Sequence, residues 1–182
     1  MASDAARVAC VVDAPGAAVQ ALFTEAVAAW RESGVKVVGV VAEAHGLADR
    51  SCGAGFLRDI QSGRPFTIYL QERPAHTSCH LDADGVNAAC AMVRRQIPGS
   101  DLVVLSKFGK LEAMGSGLAD AFHAAIAAGK PILTSVSDKH RDTWRVMMPD
   151  ATSLPADHAA LRRWWQAART GRPPDVRSLE SI

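Results

Sequence analysis

The chain has 182 residues, of which 48% are hydrophobic and 21% are charged, and its formal net charge is +1. This length suits one α/β domain with a single core, and the composition excludes a disordered chain. The near-zero net charge gives no support for nucleic acid or an anionic membrane surface as a partner. We therefore expect residues 1–182 to form one α/β domain, with residues 171–182 as a loose tail.

The sequence shows neither a targeting pattern nor the cysteine spacing of a metal site. The first residues lack the basic and apolar segments of a signal peptide, and no apolar stretch is long enough to span a bilayer. These features predict a cytoplasmic protein without a membrane partner, and they leave a homo-oligomer open. The cysteines lack the close pairwise spacing of a zinc site, so no metal site is predicted; they are Cys10, Cys52, Cys79 and Cys90.

The chain opens with a βαβ pattern. Arg7–Val12 is a predicted strand, Asp13–Gly16 is a turn, and the amphipathic helix that follows is closed by Gly34. Val35–Val41 is the second predicted strand. Such a unit aims the free N–H groups of the helix at any anion beyond the first strand. The turn is not a Walker A loop, since it contains one glycine and no lysine.

The middle of the chain predicts a loop and a hairpin. Ala42–Gly55 is rich in small and polar residues, which is typical of a surface loop. Gly55–Ile60 and Pro65–Leu70 are predicted strands joined by a turn at Gln61–Arg64, forming a small antiparallel hairpin at one edge of the sheet. Gln71–His80 is irregular and is either plain connecting chain or a candidate lid, with lid residues His76, Ser78, Cys79 and His80.

The second half alternates helices and strands. Asp82 is the predicted N-cap of a helix with Cys90 on its apolar face. The four apolar residues Leu102–Leu105 predict a strand buried on both faces. The remaining predicted elements are a helix with Leu118, Ala121, Phe122, Ala125 and Ile126 inward, a strand at Ile132–Val136, a short helix near Arg141–Met147, and a last helix with Pro155 in its first turn.

Polar residues follow the strand Leu102–Leu105. Lys107, Gly109 and Lys110 come directly after it, and ligands of open α/β sheets bind at the carboxyl ends of strands. Two ammonium groups there indicate an anionic ligand, although lysines in an ordinary solvated loop would give the same pattern. Ser135 ends the next predicted strand and is expected at the same edge of the sheet.

This region also carries a family resemblance. The stretch Ser106–Ala113, followed by Gly115 and Gly117, resembles a bacterial family that is a domain of unknown function, with weaker matches at residues 78–82 and 129–134. The resemblance implies genes near molybdenum transport systems. That family is in turn similar to the small cancer-related nucleoside triphosphatases. The implied fold is therefore three-layered with a mostly parallel sheet, of the P-loop, RecA-like type.

The chain departs from the triphosphatase pattern at two acids. In those relatives the strand ends in Asp-Glu, then an apolar residue, Gly, Lys, an apolar residue and Glu. Gly109, Lys110 and Glu112 match, whereas Ser106 and Lys107 replace the two acids. The resemblance implies that the missing acids hold magnesium and help to activate water. An ammonium group in their place repels magnesium and attracts an unaccompanied anion, so we expect the scaffold to be kept and hydrolysis to be lost.

We therefore predict a non-catalytic binding protein for a small anion or phosphorylated ligand, with molybdate or a phosphate-type anion as candidates. The Ala14–Ala17 turn would donate N–H groups, and Glu112 is favoured as a cap or lysine partner over a base. The alternatives are a noncanonical nucleoside triphosphatase or nucleotide-binding protein, and a regulatory protein-interaction module with a vestigial site. The predicted ligand-binding residues are Asp13, Ala14, Pro15, Gly16, Ala17, Ser106, Lys107, Gly109, Lys110, Glu112 and Ser135.

Overall fold

The structure is a computed structural model that describes residues 7–46, 54–70 and 81–171. Its strands are β1 (Val8–Val11), β2 (Val37–Ala44), β3 (Ala54–Asp59), β4 (Pro65–Thr67), β5 (Leu102–Phe108), β6 (Ile132–Val136) and β7 (Thr152–Leu154). Its helices are α1 (Gly16–Glu32), α2 (Ala83–Gln96), α3 (Lys110–Ala113), α4 (Ala119–Ala127), α5 (Arg141–Met147) and α6 (His158–Thr170), with short 3₁₀ turns at Ile97–Gly99 and Asp138–His140.

The strands form a sheet with the order β4-β3-β2-β5-β6-β1-β7. The five strands from β2 to β7 in that order are parallel, while β3 and β4 run antiparallel at the other end. One strand, β6, lies between β1 and β5. The predicted class is confirmed: a three-layer α/β fold with a mostly parallel sheet and a small antiparallel hairpin at one edge. This arrangement is consistent with a P-loop NTPase-like fold.

Two apolar cores cover the two faces of the sheet. Strand β5 contributes residues to both cores. Leu102 and Val104 face α1 and α6, whereas Val103 and Leu105 face α2 and α4. Trp144 on α5 joins the second core, with its ring 5.1 Å from that of Phe108. No helix within the described ranges is long and apolar enough to cross a membrane.

Close approach of backbones explains one glycine in the sheet. Gly39 on β2 has φ +119°, and a Cβ there would lie 1.9 Å from the carbonyl oxygen of Val104 on β5. Any larger residue would push β2 away from β5, with which it pairs from Val37 to Val40. The glycine therefore permits the register of two central strands.

Several predicted boundaries were wrong. Strand β2 begins at Val37 and continues to Ala44, because β3 pairs with it through the stretch that the composition assigned to a loop. Strand β5 runs on to Phe108, so Lys107 lies within the strand. Strand β4 ends at Thr67, and the chain makes one further bridge, between Tyr69 and Leu81. In each case pairing with neighbouring strands, rather than the local sequence pattern, determines where the strand begins or ends.

Three helical details also differ from expectation. The turn after Gly109 contains the short helix α3, which was not predicted, and neither was strand β7. Pro155 precedes α6, which begins at His158 because Asp157 caps it by accepting the N–H of Ala160. Ile126, predicted to face inward, is 39% exposed because it lies beside the end of α4. The candidate lid at 76–80 lies outside the described residues. Of the predicted tail at 171–182, Gly171 caps the end of α6 and residues 172–182 lie outside the described residues.

Candidate functional site

A β-bulge interrupts β5 at the carboxyl end of the sheet. Leu105 pairs with Thr134 on β6 and Phe108 with Val136, so Ser106 and Lys107 stand opposite the single residue Ser135. Bulges of this kind redirect side chains and are frequent beside functional sites. The Ser135 hydroxyl donates to the Ser106 carbonyl at 2.6 Å in place of a ladder bond. The bulge thus occupies the two positions at which the resemblance expected acids.

A glutamine on α1 also hydrogen-bonds to the bulge. The Gln20 amide nitrogen donates to the Ser106 carbonyl at 3.1 Å, and its amide oxygen accepts the N–H of Ala42 on β2 at 3.0 Å. The parallel pairing of β2 with β5 ends at Val40 and Leu105, so Ala42 lies two residues beyond the last paired residue of β2. One side chain therefore satisfies backbone groups where the two strands separate.

Glu112 organises the turn that follows the bulge. One carboxylate oxygen accepts the N–H of Gly109 at 3.0 Å, and the other accepts the N–H of Leu118 at 2.9 Å. The residue is 6% exposed. Gly117 leaves room for it, because a Cβ there would lie 2.6 Å from a Glu112 oxygen. The carboxylate therefore accepts backbone N–H groups from the residue before α3 and the residue before α4.

A cavity of about 500 Å³ opens beside this turn, on the face of the sheet that carries α2 and α4. Its lining includes three lysines and a histidine: Lys107, Lys110, Lys139 and His140. In the part of the chain that the structure describes, no carboxylate lies within ion-pair distance of these lysines. The other described lining residues are Ala42, Leu57, Ile68, Leu81, Val86, Ser106, Gly109, Leu111, Glu112, Leu118, Ser137 and Asp138.

An arginine connects the cavity with the first turn. The Arg141 guanidinium donates to Asp13 and to Asp138, in both cases at 2.5 Å. Asp13 follows β1 with φ +58°, and Asp138 lines the cavity. The two carboxylates, Asp13 above all, raise the pKa of Arg141, so the guanidinium stays charged. Helix α1 begins after Pro15 without a side-chain cap, which leaves its first N–H groups at the surface.

The structure places the predicted residues in two groups. The residues after β5 line the cavity together: Ser106, Lys107, Gly109, Lys110 and Glu112. The first turn, Asp13–Ala17, and Ser135 are not among the described lining residues, although they lie at the same edge of the sheet. Helix α1 covers the opposite face of the sheet, so its first turn lies apart from the cavity. Arg141 connects the two regions by bonding Asp13 of the turn and Asp138 of the cavity lining.

Some site residues were missed. Lys139 and His140 directly follow β6, so the reasoning that selected Lys107 after β5 would also have found them. Arg141 was placed on a predicted helix without a role. Gln20 gave no signal, because a polar residue on an amphipathic helix is ordinarily exposed.

Comparison with known proteins gives two matches. The chain is 31% identical over 167 residues to the Molybdenum import ATP-binding protein ModC 2 of Bradyrhizobium diazoefficiens. The aligned region is 90% of this chain but 18% of that protein, so the chain spans less than a fifth of its relative. No solved structure matches the chain. The second match is to a family and covers residues 8–164, so the chain belongs to the family described as protein of unknown function, DUF2478.

Proposed function

We propose that the chain binds an anionic ligand in the cavity beside the β5 bulge and does not hydrolyse nucleotides there. The observation that carries this proposal is the convergence of Lys107, Lys110 and Lys139 on one cavity without a carboxylate to pair them. All three lysines are exposed, and an anion bound among them would accept charge-assisted hydrogen bonds.

The acids that line the cavity are already engaged. Glu112 accepts two backbone N–H groups, and Asp138 accepts the Arg141 guanidinium. Neither makes an ion pair with the described lysines of the cavity. The hydroxyl of Ser106 is buried and has no hydrogen-bond partner among the described residues, so it is available to a ligand that reaches the bulge. This balance of free donors favours an acceptor-rich, negatively charged ligand.

The same features argue against hydrolysis. Magnesium-dependent nucleotide cleavage needs a carboxylate or hydroxyl that holds the metal and a group that positions the attacking water. The bulge carries Ser106 and Lys107 in place of acids, and both oxygens of Glu112 hold backbone N–H groups. The relative is named for molybdenum import, which makes molybdate the first anion to test.

Nucleotide binding is the second candidate. The relative is named an ATP-binding protein, and the sheet is consistent with a P-loop NTPase-like fold. In this version Lys107 or Lys110 would contact phosphate groups in place of the absent Walker A lysine. Hydrolysis of ATP or GTP with magnesium would then be measurable, and it would be abolished in Lys110→Ala.

Isothermal titration calorimetry tests the proposal with molybdate, tungstate, phosphate and ATP as ligands. We expect at least one anion to bind without magnesium and Lys107→Ala or Lys110→Ala to weaken it about 10- to 100-fold, since a charge-assisted hydrogen bond contributes about 1.5–3 kcal/mol. Lys36→Ala is the matched control, because Lys36 is exposed and precedes β2 at the opposite edge.

Two results would contradict the proposal. Turnover of ATP or GTP that depends on Lys110 would replace binding with catalysis. Binding of no anion, together with a tight protein partner, would favour the regulatory interaction module.

A further inference from the structure

The cavity is too large for an inorganic oxyanion alone. A volume of about 500 Å³ falls in the range of about 300–1,000 Å³ that is typical of small-molecule and cofactor sites. Even at about 30 Å³ per oxygen, the share of a water molecule in the liquid, a four-oxygen anion would fill about a quarter of it. An inorganic oxyanion alone would therefore leave most of the space to water.

The lining is divided by polarity. The cations come from the β5 bulge, α3 and the turn after β6, whereas most of the apolar lining comes from β2, β3, the residue after β4, α2 and the residue before α4. We call the apolar lining residues the apolar wall; they are Ala42, Leu57, Ile68, Leu81, Val86, Leu111 and Leu118. Leu81 and Leu111 are half-buried and the other five are buried, so an apolar ligand group that covers these two leucines would remove apolar surface from water.

The apolar wall is also firm. Leu57, Val86 and Leu118 are at most 4% exposed and belong to the core between the sheet and the α2–α4 layer. Such side chains are held by packing on several sides and cannot collapse into the space. The wall is therefore a preformed surface for a ligand.

We infer that the ligand is an organic anion: a phosphate, sulfate or carboxylate group held by the lysines, joined to an apolar body of about a dozen heavy atoms or fewer. This inference rests on the anion site proposed above and specifies its ligand class. The charged group lies against Lys107 and Lys110, and the body lies against Leu57 and Val86. A bare oxyanion would use the first half of the cavity and leave the second half wet.

A set of matched probes separates the two halves. 1-Naphthyl phosphate carries both an apolar body and a phosphate, inorganic phosphate and molybdate carry charge alone, and 1-naphthol carries the body alone. In calorimetry we expect 1-naphthyl phosphate to bind at least about 100-fold more tightly than phosphate, because burial of its rings adds to the same ionic contact. We expect 1-naphthol to bind more weakly than 1-naphthyl phosphate, since it leaves the lysines without an anion.

Single substitutions measure how much the apolar wall and the lysines each contribute to binding. Leu81→Ser removes part of the apolar wall at a half-buried position, and Ala42→Leu fills the cavity. Each should weaken 1-naphthyl phosphate at least tenfold while changing phosphate binding less than twofold. Lys107→Ala should weaken both probes. Ile126→Ser is the control for an apolar-to-polar change, because Ile126 is exposed on α4 outside this cavity. Circular dichroism and thermal unfolding establish that each variant is folded.

The outcomes distinguish this inference from the proposal on which it rests. Lysine-dependent binding of phosphate or molybdate, with 1-naphthyl phosphate no tighter, would overturn the organic ligand and leave the anion site standing. Tighter binding of 1-naphthyl phosphate that neither wall variant reduces would also overturn it. Binding of none of the anions would remove both.

Discussion

At the scale of single residues, Glu112 shows how much a sequence pattern can and cannot indicate. Its place in the Gly-Lys-x-Glu pattern suggested either a site residue or a cap. The structure gives it two backbone N–H partners, at Gly109 and Leu118, which is the geometry of a cap. The second partner lies six residues away and depends on how the chain turns at Gly117, so local spacing alone could not reveal it.

Replacing Glu112 with glutamine should destabilise the protein by about 2 kcal/mol. The amide of glutamine keeps one acceptor but turns a donor toward one of the two buried N–H groups, and hydrogen bonds to charged groups contribute about 1.5–3 kcal/mol. Urea unfolding measures the change. Glu32→Gln, at an exposed carboxylate at the end of α1, should stay within about 0.5 kcal/mol of the parent. Equal effects of the two substitutions would contradict the capping role.

Two cysteines should be unreactive in the folded protein. Cys10 and Cys90 are buried, and burial raises the pKa of both thiols, so the thiolate is scarce near neutral pH. We expect iodoacetamide at pH 8 to leave both unlabelled until urea unfolds the chain, as followed by peptide mass spectrometry. Labelling of either cysteine in the native protein at the rate of a small free thiol would show that its core is open.

At the scale of secondary structure, most elements could be predicted from periodicity, but several of their ends could not. The strand Leu102–Leu105 was recognised by its apolar run, yet β5 continues through Ser106 and Lys107 because β6 holds the bulge in place. Helix α6 starts at His158 because Asp157 caps it, although Pro155 was the more prominent signal in the sequence. Such ends depend on tertiary partners or on the choice between competing caps.

Gly39→Ala tests the contact between two elements. The new Cβ would collide with the Val104 carbonyl oxygen at 1.9 Å, and alanine would also have to adopt φ +119°. We expect a loss of at least about 3 kcal/mol from overpacking and backbone strain together. Gly34→Ala is the matched control, because φ is +87° there but nothing lies within 4 Å, so strain alone should cost about 1 kcal/mol. Similar unfolding midpoints for the two variants would contradict the close approach of β2 and β5.

At the scale of the whole molecule, the α/β class and the edge hairpin followed from the order of the patterns. The strand order did not, because the insertion of β6 between β1 and β5 reflects pairings between distant segments. The separation of the predicted site residues into two groups could not be predicted for the same reason. Predicted site residues before and after α1 were expected to share one cleft, but which face each would occupy depends on where the helices pack.

Amide hydrogen exchange should follow the position of each strand in the sheet. Strands β5 and β6 are central, and residues 102–105 on β5 are fully buried, so their amides should exchange only on global unfolding. Strand β7 is a three-residue edge strand, and β4 is the edge strand at the other end, so both should exchange faster through local opening. Exchange measured by mass spectrometry compares them in one experiment. Equal protection of β5 and β7 would contradict this arrangement.

The Gln20 side chain has a mechanical consequence for the molecule. From a helix on one side of the sheet, its amide hydrogen-bonds to the backbone of Ala42 and Ser106. The cavity that these two residues border lies on the other side of the sheet. Displacing α1 relative to the sheet would lengthen or break these two bonds. The helix is thus tied by one side chain to the two strands that border the cavity.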